Sequence, residues 1–313
     1  MDEAGVLSYV GLAMRRQATV AAAAKVNLHL EILGRRADGY HEIRSLFQLV
    51  SLSDEVRVGR EGPAGSCRIL GEDLAVPCAD NIMKKAADSF RRATGILDGW
   101  LLSVRKRIPI GGGMGGGSSD AAAVLRCLQG LHGEPLDRPG LEALAAGLGS
   151  DVPFFLGGAC GLVEGRGERI EEIRPRTDFR LIAVSPPFSV GTREAFSWWD
   201  AWGGMGMQRG IPRERLLSAY RLEPPGSWGF GNSFDGVLME RFPALADVRD
   251  SLLDLGAMAA GCTGSGSTVI GLFPDGPAAA RACGLFPRSK GRAVVLEPLE
   301  EKPSICYNDS LDS

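Results

Sequence analysis

The sharpest alternation in the chain lies just before residue 33, where Val26, Leu28, Leu30 and Ile32 share one parity and Lys25, Asn27, His29 and Glu31 the other. A period of two predicts a half-buried strand with the polar set on its opposite face. Gly34 to Tyr40 reads as a loop from its glycine and aspartate content, and HEIRSLFQLVSL and DEVRVG read as two further strands. ADNIMKKAADSFRRATG has helical spacing, with Asp80 or Asn81 placed to cap it. In WLLSVRKRIPI, Leu102, Val104, Ile108 and Ile110 keep one parity and Lys106 is the single interruption. A lysine on such a face either snorkels to water or meets a ligand.

Ser118 to Gln129 predicts a helix with an apolar stripe from Ala121 to Leu125 and Leu128, and Ser118 or Ser119 is available as its N-cap. LEALAAGLG predicts a second. The polar, proline-bearing EEIRPRTD at 171 to 178 separates these elements from the apolar run RLIAVSPPF, which sets a domain boundary and gives units of 18–172 and 173–313. Residues 1–17 read as an extension outside the fold, with Met14 an alternative start. Residues 200–231 read as irregular around one short helix. The helix ALADVRDSLLDLGA, the turn-rich CTGSGSTVIGLF, the helix PAAARACGLF and the strand RAVVLEPL then make a β-and-α second unit.

The length of 313 residues suits two domains, each with its own core. At 44% apolar and 23% charged the composition is that of a soluble globular protein, and no run approaches the ~18 apolar residues of a membrane span. A formal charge of −3 argues against a nucleic-acid surface. The seven cysteines are scattered without a C-x-x-C pair, which points to a reducing cytoplasm and to no zinc or other metal-ligand cluster. The acidic start MDEAG is unlike a signal peptide.

Residues 108 to 123, IPIGGGMGGGSSDAAA, hold six glycines in seven positions directly before the predicted helix. Bare glycines bring successive backbone N–H groups close to an anion, and the helix N-terminus adds its own free donors, so the run reads as a phosphate site. Gly111, Gly113 and Gly116 satisfy G-x-G-x-x-G, but HGEPLDRPG follows the helix where a dinucleotide fold needs a second strand. A Walker A loop needs lysine at position 117, which is glycine, and a protein-kinase loop joins two strands.

What remains, a strand, P-x-G-G-G-x-G-G-G-S-S and a helix, resembles the nucleotide loop of the GHMP kinase superfamily. AKVNLHL, RRADGYHE and GSDVPFF resemble the stretches that mark its branch acting on diphosphocytidyl-methylerythritol, and CTGSGST at 262 to 268 resembles the superfamily's late glycine motif. The resemblance implies an α+β fold of two domains, a ribosomal-protein-S5-like nucleotide domain and a C-terminal α/β sandwich, with the active site between them. It implies a kinase using ATP and Mg²⁺ to phosphorylate the 2-hydroxyl of that cytidyl ester, acting as a monomer or homodimer.

By the same resemblance, ATP is held by Pro109, Ile110, Gly111, Gly112, Gly113, Met114, Gly115, Gly116, Gly117, Ser118 and Ser119, with Asn81 and Lys106 on the adenine side. Ser118 and Ser119 bind phosphate or Mg²⁺, or merely cap the helix. Asp120 would repel a phosphate, so its side chain is expected to point away from the nucleotide. Asp151 is either the N-cap of a short helix near Pro153 or the base for the acceptor hydroxyl; the resemblance favours the second, with Lys25 beside it and Asn27 touching the acceptor. Tyr40 and His41 either pack on their own loop or, by resemblance, face Phe196 across the cytosine, with Thr192 nearby. His29 is expected on the cleft face with no assigned role. Another GHMP kinase fails to explain ADGYH, and an inactive nucleotide-binding regulator fails to explain keeping both Lys25 and Asp151.

Overall fold

The structure is a computed structural model that describes residues 16–70, 80–203 and 210–308. The expected extension, apart from its last two residues, therefore lies outside the described residues, as does Met14. The architecture is α+β, as expected, and is built on two sheets.

Strand β1 (Gln17–Arg35) pairs antiparallel with β2 (His41–Arg60), which is one continuous strand where the sequence suggested two. The front of β2 pairs with β5 (Cys160–Gly165) and its end with β4 (Trp100–Arg105). Edge strands complete the sheet. β3 (Cys67–Leu70) lies parallel to β4, β6 (Arg169–Glu172) pairs with β5, and β11 (Ile305–Asn308) pairs with the start of β1. This last pairing returns the far end of the second sequence unit to the first sheet. Helices α1 (Ile82–Thr94), α2 (Gly116–Leu131) and α3 (Arg138–Leu148) accompany this sheet, and Phe47, Phe90, Trp100, Leu125, Leu128 and Phe154 share its main apolar cluster.

β1 departs from the half-buried expectation because both of its faces are covered: Lys25, Asn27, His29 and Glu31 are as buried as Val26 and Leu30. Between Ala23 and Lys25 the extra residues lie on β2, where Val50, Ser51 and Leu52 stand opposite Ala24 alone, whereas the shifts between Asn27 and His29 and between Ile32 and Gly34 leave Leu28 and Leu33 as extra residues of β1. A bulge exchanges the faces that follow it. Lys25 and Asn27 therefore share the cleft side with Leu30, while His29 pairs with Leu46 and packs against Phe230, with Gly231 N–H pointing at its Nδ1. The expectation of His29 on the cleft face is thus corrected: the bulge at Leu28 turns it away.

The second sheet runs β10-β7-β9-β8, all antiparallel, from β7 (Arg180–Ser185), β8 (Ala259–Cys262), β9 (Val269–Phe273) and β10 (Arg292–Leu296). It is accompanied by α4 (Thr192–Ala201), α6 (Asp235–Arg241), α7 (Pro243–Asp254) and α8 (Gly276–Leu285). The region read as irregular holds α5 (Arg213–Leu222), whose Leu216, Ala219 and Tyr220 are fully buried. They join Val26 and Leu46 of the first sheet to Leu181 and Leu272 of the second in one cluster, which is what covers the outer face of β1.

Candidate active site

The glycine loop leaves the sheet at a buried carboxylate. β4 ends at Arg105, and Asp54 on β2 accepts hydrogen bonds from Arg107 N–H at 2.5 Å and Ile108 N–H at 2.9 Å while also binding Lys106 Nζ. Lys106 is held on its other side by Asp120 Oδ2 at 2.6 Å. Its exposure to the cleft thus comes from two carboxylates beyond the strand end, and strand parity does not extend to it. Asp120 does not point away as expected; it lines the cleft, and burial pushes its carboxyl up to about 7 against the pull of Lys106.

Gly111, Gly113 and Gly115 take φ of +70°, +77° and +71°, values that L side chains avoid, and α2 starts at Gly116 with Gly115 as its N-cap. The helix therefore begins earlier than expected, and Ser118 and Ser119 lie in its first turn without capping it. The Ser119 hydroxyl donates to Ala23 C=O at 2.7 Å, whereas Ser118 makes no hydrogen bond among the described residues and faces the cleft. Met114 is buried, anchoring the loop's middle beside Ile108, and its carbonyl accepts Lys25 N–H at 3.0 Å.

The late glycine motif packs directly on this loop. Thr268 N–H donates to Gly112 C=O at 3.3 Å, and a Cβ placed on Gly113 would stand 2.2 Å from Thr263 C=O. Backbone meets backbone here, so the second sheet seats the loop of the first.

Lys25 Nζ lies 2.6 Å from Asn27 Oδ1, 3.5 Å from Asp151 Oδ2 and 4.2 Å from the Phe47 ring centre. Burial pushes its ammonium below the usual lysine range, and Asp151 pulls back the other way. Asp151 precedes a 3₁₀ turn, Pro153–Leu156, that has no side-chain cap, so the capping account of Asp151 finds no hydrogen bond. Asn27 is fixed by donation from its Nδ2 to Ser45 Oγ at 2.8 Å and by its N–H to Thr263 Oγ1 at 2.8 Å.

At the other end of the cleft Tyr40 is 54% exposed, its N–H bound to Asp38 and the Arg166 guanidinium 4.7 Å from its ring centre. His41 stacks directly on Phe196 with centroids 4.5 Å apart and planes 16° apart. The expected arrangement, with a base between these two rings, has no room for a third ring at that spacing. Thr192 Oγ1 lies 3.1 Å from Ser265 Oγ.

One cleft of about 1280 Å³ joins all of this, and every expected site residue except Ser119 lines it. Asn81 is both N-cap of α1 and wall of the cleft. Sequence reasoning missed Asp54, Arg166, Asp200 and Ser265. Ser265 lies within the late glycine motif that the sequence did show, without a role assigned to it, whereas Asp54, Arg166 and Asp200 belong to no local pattern; each reaches the site through a partner far away in the chain.

Models of the GHMP kinases N terminal domain and the GHMP kinases C terminal domain match residues 81–159 and 223–285. The chain is 39% identical over 288 residues to the 4-diphosphocytidyl-2-C-methyl-D-erythritol kinase of Anaeromyxobacter dehalogenans, covering 89% of this chain and 88% of that one. The kinase of the same name from Treponema pallidum is 36% identical over 82% of this chain and 90% of its own. A crystal structure of 4-(cytidine 5'-diphospho)-2C-methyl-D-erythritol kinase superposes with a TM-score of 0.74 at 35% identity, covering 89% of this chain and 98% of that one. Homoserine kinase from Cytophaga hutchinsonii shares the fold at 17% identity, with a TM-score of 0.72 over 94% of this chain and 98% of that one. With two sheets meeting at a glycine loop, and relatives this similar along most of its length, the chain belongs to the 4-diphosphocytidyl-2-C-methyl-D-erythritol kinases of the GHMP kinase family.

Proposed function

We propose that this protein transfers the terminal phosphoryl group of ATP to the 2-hydroxyl of 4-diphosphocytidyl-2-C-methyl-D-erythritol. The observation that carries the reading is the position of the Lys25 and Asp151 pair. Lys25 donates its backbone N–H to the loop at Met114, and a Cβ on Gly115 would lie 3.1 Å from Lys25 Cγ. An ammonium and a carboxylate thus stand at the mouth of α2, where a triphosphate held by the loop would end.

Phosphoryl transfer asks the protein to align donor and acceptor and to neutralise charge. The N–H groups of the loop and of the first turn of α2 take the phosphate oxygens. Asp151 takes the proton of the acceptor hydroxyl as its oxygen bonds to phosphorus and the bond to the bridging oxygen of ADP breaks. Lys25 stabilises the negative charge that develops on that oxygen, and Asn27 orients it. Lys106 and Asn81 flank the nucleotide, while Tyr40, His41, Phe196 and Thr192 hold the cytidyl end. Mg²⁺ fits this site through few protein ligands, since such ions keep phosphate oxygens and waters around them, and the Ser118 hydroxyl, without a partner among the described residues, is the group suited to hold it. When bound, it supplies neutralisation of the phosphate charge.

The reading takes residues 18–172 and 173–313 as the two units around the cleft, except that Ile305–Asn308 of the second completes the first sheet, and the cytoplasm as the site of action. Among the described residues no helix is long and apolar enough to cross a membrane. The test is incubation with ATP, Mg²⁺ and the cytidyl ester: ADP and a new phosphomonoester on the 2-hydroxyl, seen by phosphorus NMR, are expected, and absence of ADP overturns the proposal.

A further inference from the structure

His41 is gripped from several directions by one helix. Phe196 covers a face of the imidazole, Trp199 meets it edge-on with centroids 5.7 Å apart, and Asp200 Oδ1 lies 2.7 Å from Nε2. Phe196 and Asp200 are four residues apart on α4, so they project from the same side of that helix. The ring itself is nearly buried yet still lines the cleft. Asp200 is otherwise approached by Arg35 at 3.8 Å, through a guanidinium that is mostly in solvent. Nδ1 of His41 makes no hydrogen bond among the described residues.

A carboxylate only accepts, so Nε2 must carry the proton, and in the neutral ring Nδ1 is then a bare acceptor. An acceptor aimed at a base edge favours an exocyclic amino group, as on cytosine, and opposes the carbonyl that uracil presents at the same position. A mobile ring could turn over or exchange tautomers and serve either base.

Building on the reading above, we propose that Asp200 is a positioning residue that sets base specificity through His41, holding the imidazole in the Nε2–H tautomer so that the acceptor's cytosine is preferred over uracil. The same contact could be a plain tether between the two sheets. A tether, however, would not distinguish one pyrimidine from the other.

The experiment compares wild type, Asp200→Ala and Asp200→Asn at pH 8, measuring inhibition by cytidine diphosphate and uridine diphosphate together with KM for ATP. Wild type should prefer the cytidine nucleotide, and Asp200→Ala should lose about tenfold of that preference, with KM for ATP changed less than about twofold. Asp200→Asn, whose amide oxygen still accepts from Nε2–H, should keep most of it. An unchanged cytidine-to-uridine ratio in Asp200→Ala overturns the inference while leaving the proposed reaction standing. Equal losses for both pyrimidines and ATP also overturn it, in favour of a tether. Failure of wild type to bind cytidine diphosphate at all sinks the proposed acceptor itself, and the inference with it.

Discussion

Replacing Gly113 by alanine probes the contact on which the cleft is built. Its φ of +77° is one that alanine adopts at a cost of about 1 kcal/mol. The new Cβ would stand 2.2 Å from Thr263 C=O and 3.0 Å from Gly266 C=O. The first distance is roughly 1 Å inside normal packing, and both neighbours are backbone, so the loop and the late turn must separate. Overpacking of this kind costs roughly 1–3 kcal/mol, which with the dihedral term gives about 2–4 kcal/mol. That corresponds to a fall in melting temperature of roughly 3–6 °C for a chain of this size. KM for ATP should rise at least about tenfold, because the N–H groups lose their common focus. Gly117→Ala is the internal control: its Cβ would meet only Ile82 Cγ2, at 3.8 Å, and the position is already helical. It should melt no lower than wild type. Thermal unfolding followed by circular dichroism and steady-state kinetics provide the readings. A Gly113→Ala protein with wild-type melting and wild-type KM for ATP would show that the two backbones do not touch in solution.

Asp151→Asn should lower kcat by roughly 10²–10⁴-fold with KM for ATP changed only slightly; an equal loss of nucleotide affinity would mean that the carboxylate serves the fold instead. Tyr40→Leu should raise KM for the cytidyl substrate by roughly 3–10-fold and leave KM for ATP alone, and a rise in both would count against Tyr40 as a base contact. Asp120, pushed up to about 7, keeps a proton in the native state that the unfolded chain releases above the ordinary value of 3.8. Its contribution is therefore fully present below that ordinary value and is lost as the pH rises through about 7. Asp120→Asn cannot lose that proton, so its melting temperature relative to wild type should climb between pH 5 and pH 8, and parallel melting curves would refute the assignment.

The glycine run was legible as a loop opening a helix because its parts are local: strand, loop and helix are consecutive, and Lys25, Asn27 and Asp151 came with recognisable neighbours. β1 was harder. The alternation from Val26 to Ile32 was read as one strand face, but the bulge at Leu28 exchanges the faces midway, and nothing in a list of side-chain polarities marks an extra residue. The burial of both faces was equally hidden, since it depends on α5 and the second sheet arriving from far along the chain. Asp54 sits in a strand as an ordinary acidic residue, and only the fold brings it beneath Lys106, Arg107 and Ile108. Helix α4 escaped because its apolar positions are largely aromatic and irregularly spaced, and α6 because its seven residues offer only the consecutive run Val237–Met239 and no helical period.

The pairing of β11 with the outer edge of β1 has a consequence for biogenesis. During translation the first sheet emerges with the main-chain donors and acceptors of Gln17–Val20 unmatched, and their partners at Ile305–Asn308 are made only after the whole second sheet. Until then that rim is open to strands of other nascent copies, an invitation to misassembly. Closure of so distant a contact is slow, so this stitch should be tied only after both sheets have formed.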